Sequence, residues 1–256
     1  MTTEQTSGGD PKRSIELLWG LQDSRPKRGP KPRFTVAGIA RVAIEIADAE
    51  GLAALSMRRV ADKLGVTAMS LYTYVPGKAE LIDVMLDTVI GETLVEEDPA
   101  AEEGWRARLA RIARQSRDLY LRHPWLLQVV TTVRPVLGPN MIAKYDRDLR
   151  AVDGLGLTDI EMDLVVTLVS DYVHGAVRTA VEQRQVERDT GKTDEQWWQE
   201  WAPLLEKVFD ADRHPTAARV GAAAGAAYNA AAAPDRAFEF GLQRILDGIE
   251  HLIARA

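Results

Sequence analysis

Cysteine is absent from the 256 residues, which excludes disulfides and thiolate-held metal and suits a reducing compartment without requiring one. Histidine is nearly as scarce: four residues, scattered and without paired spacing, give no reason to expect a zinc site or any other metal. No apolar run approaches the roughly 20 residues that cross a bilayer, and the N-terminal stretch carries charges where a secretory signal has an apolar centre; the default expectation is a cytoplasmic protein. Period-two alternation persists nowhere. Every readable segment has helical spacing instead, which predicts an all-α protein. Catalytic signatures are missing too: no nucleophile elbow, Walker, metalloprotease or Rossmann pattern occurs, and Gly154-Leu155-Gly156 lacks the third glycine and a flanking strand. Neither an enzyme nor a bound cofactor is expected.

What is present is an ordinary globular composition, 46% apolar and 27% charged, long enough for one large or two modest domains. The net charge of −6 argues against a polyanionic partner only if charge is evenly spread, and it is not. Residues 25–95 carry ten Lys or Arg against eight Asp or Glu, net +2, whereas residues 96–256 carry twenty against twenty-six, net −6. Arg25, Lys27, Arg28, Lys31 and Arg33 form a run without an acid, interleaved with Pro and Gly. Such a segment cannot fold alone; it is either an arm that lies along phosphates or a solvated linker.

The stretch Ser56 to Val75, SMRRVADKLGVTAMSLYTYV, joins two short amphipathic patterns by a turn of fixed length. Met57, Val60, Ala61 and Leu64 share one helical face, and Ala68, Leu71, Tyr72 and Val75 share another. Gly65 supplies the left-handed turn between them and Thr67 a hydroxyl cap, so the unit reads as a helix-turn-helix. A helix capped by Thr35 and stopped by Gly51 precedes it. After Pro76-Gly77, a longer helix is expected from Leu81 to about Glu97.

Farther along, Trp105, Leu109, Ile112, Leu119 and Tyr120 mark a helix ended by His123-Pro124, where His123 is expected as a helix-end cap rather than a metal ligand. Short helices follow at Leu126 to Val133 and Asn140 to Val152. Thr158 to Glu161 is a capping box that opens a long helix to about Glu187, apolar over most of its circumference and so expected to be central. A second box at Thr193 to Gln196 opens a helix whose Trp197, Trp198 and Trp201 are expected as core and lid. Residues 211–234, half alanine, fit a loose helix or a loop equally. The last helix, from about Arg236, carries a stripe from Phe238 to Ile253. Ahead of all this, residues 1–11 read as disordered, and Ile15, Leu18, Trp19 and Leu21 predict one or two helical turns that dock weakly.

LSMRRVADKLGVTAMSLYTYVPGKAELID at residues 55–83, with HPWL at 123–126 and the FEFGLQRILDGIEHL ending, resembles the TetR family of bacterial transcription regulators, with a tetracycline-repressor-type C-terminal domain. The resemblance implies a homodimer that represses from a palindromic operator and is released by a small-molecule effector. It divides the chain into a flexible extension with a basic arm (1–33), a three-helix helix-turn-helix DNA-binding domain (34–80) and a larger helical regulatory and dimerisation domain (81–256). DNA-contacting positions then fall on Met57, Arg58, Thr67, Ala68, Met69, Ser70, Tyr72, Thr73, Tyr74 and Lys78. Of these, Arg58 alone can bond guanine O6 and N7 as a pair; Ala68 and Met69 offer apolar contact to a thymine methyl, and Ser70, Thr73, Tyr74 and Lys78 suit phosphates. The family often has an amide-bearing side chain where Ala68 stands. Dimerisation is expected through the long helix near 159–187 and the last helix near 236–254. Asp163, Thr167, Ser170, Asp171, His174 and Arg178 form a polar stripe on the long helix. It lines an effector pocket, with Asp171, His174 and Arg178 as ligand residues, or it is a solvated or dimer-facing edge. The competing reading of the whole chain is a helical ligand-binding or scaffold protein that never meets DNA.

Overall fold

A computed structural model describes residues 10–21, 34–94, 104–130 and 134–255. Among the described residues the chain is helical throughout, and no helix is long and apolar enough to cross a membrane. In chain order the helices are α1 (Pro11–Leu18), α2 (Val36–Glu50), α3 (Met57–Leu64), α4 (Ala68–Tyr72), α5 (Lys78–Gly91), α6 (Trp105–Arg122), α7 (Leu126–Val129), α8 (Pro139–Arg150), α9 (Asp159–Thr190), α10 (Asp194–Glu206), α11 (Pro215–Tyr228) and α12 (Pro234–Ile253). The stretch 211–234, undecided from its composition, is mostly the helix α11. The basic run at 25–33 and residues 1–9 lie outside the described residues.

Local chemistry accounts for most boundaries. Thr35, Ser56, Thr67, Thr158 and Thr193 each accept a backbone N–H from the first turn of the helix they open, and at Thr158 and Thr193 the reciprocal half of the capping box is also formed. Gly65 closes α3 at φ 68°, a left-handed conformation where a Cβ would be strained. Two helices end within the described residues earlier than their patterns suggest: α5 ends at Gly91, followed by a 3-10 turn at Glu92–Leu94, and the helix opened at Leu126 ends at Val129; residues 95–97 and 131–133 of the expected helices lie outside the described residues.

α2 to α5 share one core with the start of the C-terminal body: Ile39, Val60, Leu71, Leu81 and Met85 pack together with Leu119, Trp125 and Val136. α5 is buried on several sides, packed by α2, α8 and α1, so the expected boundary at 80/81 falls in the first turn of a helix that belongs to both halves. α1 is docked more firmly than its weak pattern suggests: Leu17 is buried in that core and Trp19 Nε1 donates to Leu137 O at 2.9 Å. A second core joins α6, α9 and α12 through Leu109, Ile112, Val169, Val173, Leu242 and Leu246.

The start of α8 is capped from α5. The Asp87 carboxylate accepts the backbone N–H of Met141 at 2.9 Å and of Asn140 at 3.4 Å, and Asn140 Nδ2 donates to Asp87 O at 3.0 Å. Burial pushes the Asp87 carboxyl pKa up, against the opposing pull of these bonds. Asp87→Ala strands those donors and is expected to lower stability by about 1–3 kcal/mol in urea unfolding. Asp87→Asn, which retains an acceptor, should cost less; Asp87→Ala with wild-type stability would dismiss the clasp.

The long helix α9 is not central in the expected sense. Val165, Val169, Val173, Val177 and Ala180 face the core, while Ile160, Leu164 and Leu168 are exposed on another side. α12 turns Phe238, Leu242, Leu246 and Ile249 inward, so much of its stripe is used within the chain. Arg114 holds Glu239 with two parallel bonds of 2.8 and 2.7 Å, tying α12 to α6. The expectation of Trp197, Trp198 and Trp201 as core is corrected: α10 has no buried residue, Trp197 and Trp201 are exposed, and Trp197 stacks on both Trp198 and Trp201. Pairing the indoles along one helix shields part of their area without a core to enter.

Candidate nucleic-acid interface

α3 and α4 form the helix-turn-helix. α4 has only five residues, too few to be stable alone, so it is held by Leu71 and by Val75 just beyond it, both fully buried. This anchoring turns the opposite side outward. Met69 is 75% exposed, and Thr67, Ser70, Tyr72 and Thr73 are exposed with it, while Ala68 is half-buried at the hinge of the two faces. Tyr72, whose spacing put it with Leu71, lies outside the core at 47% exposure.

The hydroxyls on this side are already connected. Thr67 Oγ1 and Ser70 Oγ are 2.9 Å apart, and Thr73 Oγ1 donates to Ser70 O at 2.7 Å. Since a hydroxyl has one hydrogen, Thr73 can donate to a phosphate only by giving up that bond. On α3, Arg58 is exposed and makes no ion pair among the described residues, whereas Arg59 is paired with Glu50 and Lys63 with Glu45, the latter at 2.9 Å. Lys78 opens α5, half-buried.

Two of the expected contact residues are less exposed than their places on the helices suggested. Met57 is 6% exposed and belongs to the core shared by α2 to α5, so its side chain is turned inward. Tyr74 is half-buried with its ring edge-on to Phe34, centroids 6.5 Å apart, so it closes the helix-turn-helix against the entry to α2. Its hydroxyl end is the part left for a partner.

Charge on this domain is less positive than the whole stretch suggested. Residues 34–94 carry five Lys or Arg against eight Asp or Glu, net −3. Glu80, Asp83 and Asp87 are buried and Glu45 and Glu50 are paired, while Arg58 is exposed on α3 together with Asp62. The positive balance read from 25–95 comes entirely from the run at 25–33.

In the C-terminal body, the three expected ligand residues lie along one side of α9. Asp171 and Arg178 are exposed, while His174 is half-buried with Nδ1 3.3 Å from Tyr120 Oη, the rings edge to face. Burial holds the His174 pKa below the usual imidazole range, helped by Arg178 and opposed by Asp171; burial and the Asp171 charge push Tyr120 up to about 12. Asp163 accepts from Tyr145 Oη at 2.6 Å. One hollow of about 330 Å³ lies between α10 and α11, walled by Trp198, Leu205, Phe209 and the small residues of α11, and another of about 290 Å³ lies between α9 and the start of α12, walled by Tyr172, Thr179 and Phe238. Neither is lined by Asp171, His174 or Arg178. The Tyr120 partnership could not be read from periodicity, since 54 residues separate the two rings.

Comparison with known proteins agrees with both halves. The model of bacterial regulatory proteins of the tetR family matches residues 39–85, and the model of the tetracyclin repressor-like C-terminal domain matches residues 98–253. The HTH-type transcriptional repressor DrrR1 of Streptomyces coeruleorubidus is 46% identical over 257 residues, spanning 99% of this chain and 91% of that protein. Tetracycline repressor protein class A from transposon 1721 of Escherichia coli is 27% identical, over 82% of this chain and 88% of that protein. Among solved structures, apo ActR from Streptomyces coelicolor superposes with a TM-score of 0.69 at 28% identity, covering 88% of this chain and 99% of ActR; the complex of ActR with actinorhodin gives 0.68 at 28% identity, covering 84% and 95%.

Proposed function

Because the chain belongs to the TetR family of bacterial transcriptional regulators, we propose that α3 and α4 read an operator and that the helical body carries the dimer contact and the effector site. The protein is a ligand-responsive DNA-binding repressor, not an enzyme. The observation that carries the site assignment is the exposed side of α4 with Arg58 beside it, an apolar and hydroxyl surface that packs against nothing among the described residues. A recognition helix enters the major groove by its N-terminal turn, here Thr67 to Ser70.

The chemistry divides the work. Arg58 is assigned to a guanine pair, Ala68 and Met69 to apolar base contact, and Ser70, Tyr72, Thr73, the hydroxyl end of Tyr74 and Lys78 to phosphates and sugars. Met57 acts from inside, by fixing the start of α3. The body dimerises through the exposed side of α9, where Ile160, Leu164 and Leu168 line up, with the outward side of α12, where Phe240 stands exposed; the two copies then form a four-helix bundle. ActR has been solved with actinorhodin, which supports an effector held by the corresponding body here. His174, with Asp171 and Arg178 a turn to either side, is retained as a candidate for its polar end, reached by displacing the Tyr120 contact.

Selecting bound fragments from genomic DNA with purified protein tests this. The expected product is a palindrome whose half-sites match two symmetry-related recognition helices; an asymmetric selected site, or retention on DNA that does not weaken with salt, counts against the reading. On the selected operator, Arg58→Ala is expected to lose about 1–3 kcal/mol of discrimination at one base pair. Lys78→Ala should weaken all sequences alike. Unchanged base preference for Arg58→Ala in competition binding would remove Arg58 from base readout.

A further inference from the structure

Asp48 lies in the last turn of α2, and its Oδ1 meets two ring nitrogens from the C-terminal body: His123 Nδ1 at 2.8 Å and Trp125 Nε1 at 2.7 Å. The other nitrogen of His123 faces Glu92 Oε2 at 3.3 Å, at the exit of α5, and Arg122 pairs with the same carboxylate. The end of α2, the exit of α5, the end of α6 and the start of α7 thus converge on one imidazole. His123 and Trp125 are buried while Asp48 is half-buried and Glu92 exposed, so the junction runs from the packed interface out to its solvent edge.

We propose that Asp48 and His123 are positioning residues for operator binding: a latch that sets the angle at which α2, and the helix-turn-helix it carries, is held on the body. This rests on the operator-binding reading above and adds how the reading head is oriented. α2 acts as the beam. Arg59 and Lys63 of α3 are ion-paired to Glu50 and Glu45 of α2, and Ile39, Ala43, Ile46 and Ala47 share a core with Val60, Ala61 and Leu71. Any rotation of α2 on the body therefore carries α3 and α4 with it. In a two-fold dimer such a rotation changes the spacing of two recognition helices that must reach half-sites about one helical turn apart.

The latch also stands where the body's own state is felt. His123 caps α6, three residues after Tyr120, whose hydroxyl meets His174 of α9. A shift of α6 against α9 reaches Asp48 through one turn of helix. On the outer side, Arg184, Glu187 and Arg188 of α9 line a cleft of about 500 Å³ together with Asp48 and Arg122, so charges from three elements surround the junction.

The test uses the full chain, the selected operator fragment and a scrambled fragment of equal length. Asp48→Asn and His123→Gln are each expected to weaken operator affinity about tenfold, within the span usual for coupled sites, with melting temperature and affinity for scrambled DNA near wild type. The double variant should be no weaker than the worse single one, because the two side chains act as one contact. Operator affinity at the wild-type level in both variants, or losses that simply add, overturns the latch. Should Asp48→Asn fail to fold, Trp125→Phe removes one donor to the same oxygen while keeping a buried ring, and is expected to speed amide exchange in α2 several-fold without changing exchange in α9; equal exchange in α2 overturns the proposal. If the wild-type chain retains no DNA at all, the operator reading falls, and the α2 exchange measurement on DNA-free protein still decides the latch.

Discussion

Changing Leu164 and Leu168 together to glutamate is expected to leave the protein monomeric and to weaken operator binding about 10²–10⁴-fold, the factor by which linking two half-site contacts exceeds either one. The two leucines are 58% and 48% exposed on α9, away from the side that Val165, Val169 and Val173 turn to the core. Fully burying a leucine contributes about 1.5–3 kcal/mol, and two-fold symmetry doubles the number of residues involved. Four carboxylates placed in the same apolar contact would instead have to be desolvated without partners, which opposes association strongly. Because Val165, Val169 and Val173 on the core side are untouched, each monomer should keep its fold. Sedimentation and operator titration read the result. A stable dimer after both substitutions would mean that the copies meet elsewhere.

The second large effect is local. Leu71→Ala is expected to cost about 2–5 kcal/mol in urea unfolding and to abolish operator binding under conditions where the remaining fold persists. Leu71 is fully buried and is the one buried residue within the five of α4. A single turn of helix has no stability of its own, so its position is set by this side chain, by Val75 and by the Thr67 cap. Met69→Ala is the matched control: at 75% exposure it should change stability by less than about 0.5 kcal/mol while weakening operator binding. If Leu71→Ala unfolded with wild-type stability, α4 would have to be anchored by other contacts.

Much of this was legible in the chain because helices are local objects. Caps, left-handed glycines and apolar spacing act within one or two turns, so Thr35, Gly51, Gly65 and the capping boxes at Thr158 and Thr193 located their helices directly. The helix-turn-helix was legible for the same reason, including Leu71 and Val75 on the inward side of α4, though Tyr72, placed on that face by its spacing, stands outside the core. Residues 211–234 resisted reading because alanine and glycine leave no contrast between faces; α11 accordingly buries nothing.

Periodicity determined which residues share a face, and tertiary packing decided what covers that face. Met57 and Arg58 are neighbours at the start of α3, yet one enters the core and the other stays in solvent, because α2 lies against only one side. Tyr74 was a free side chain in sequence and a half-buried one once Phe34 is brought beside it. The tryptophans of α10 were expected inside on hydrophobicity alone, but the cores were already closed by α6, α9 and α12 and by α2 to α5. The Asp48, His123 and Trp125 junction spans 75 and 77 residues, and no local signal points from one partner to the other. The sequence by itself therefore determined an all-helical chain with a DNA-reading turn; only the packed structure decided which reading residues face outward and which buried contacts hold them at their angle, since those depend on distances the chain closes when it folds.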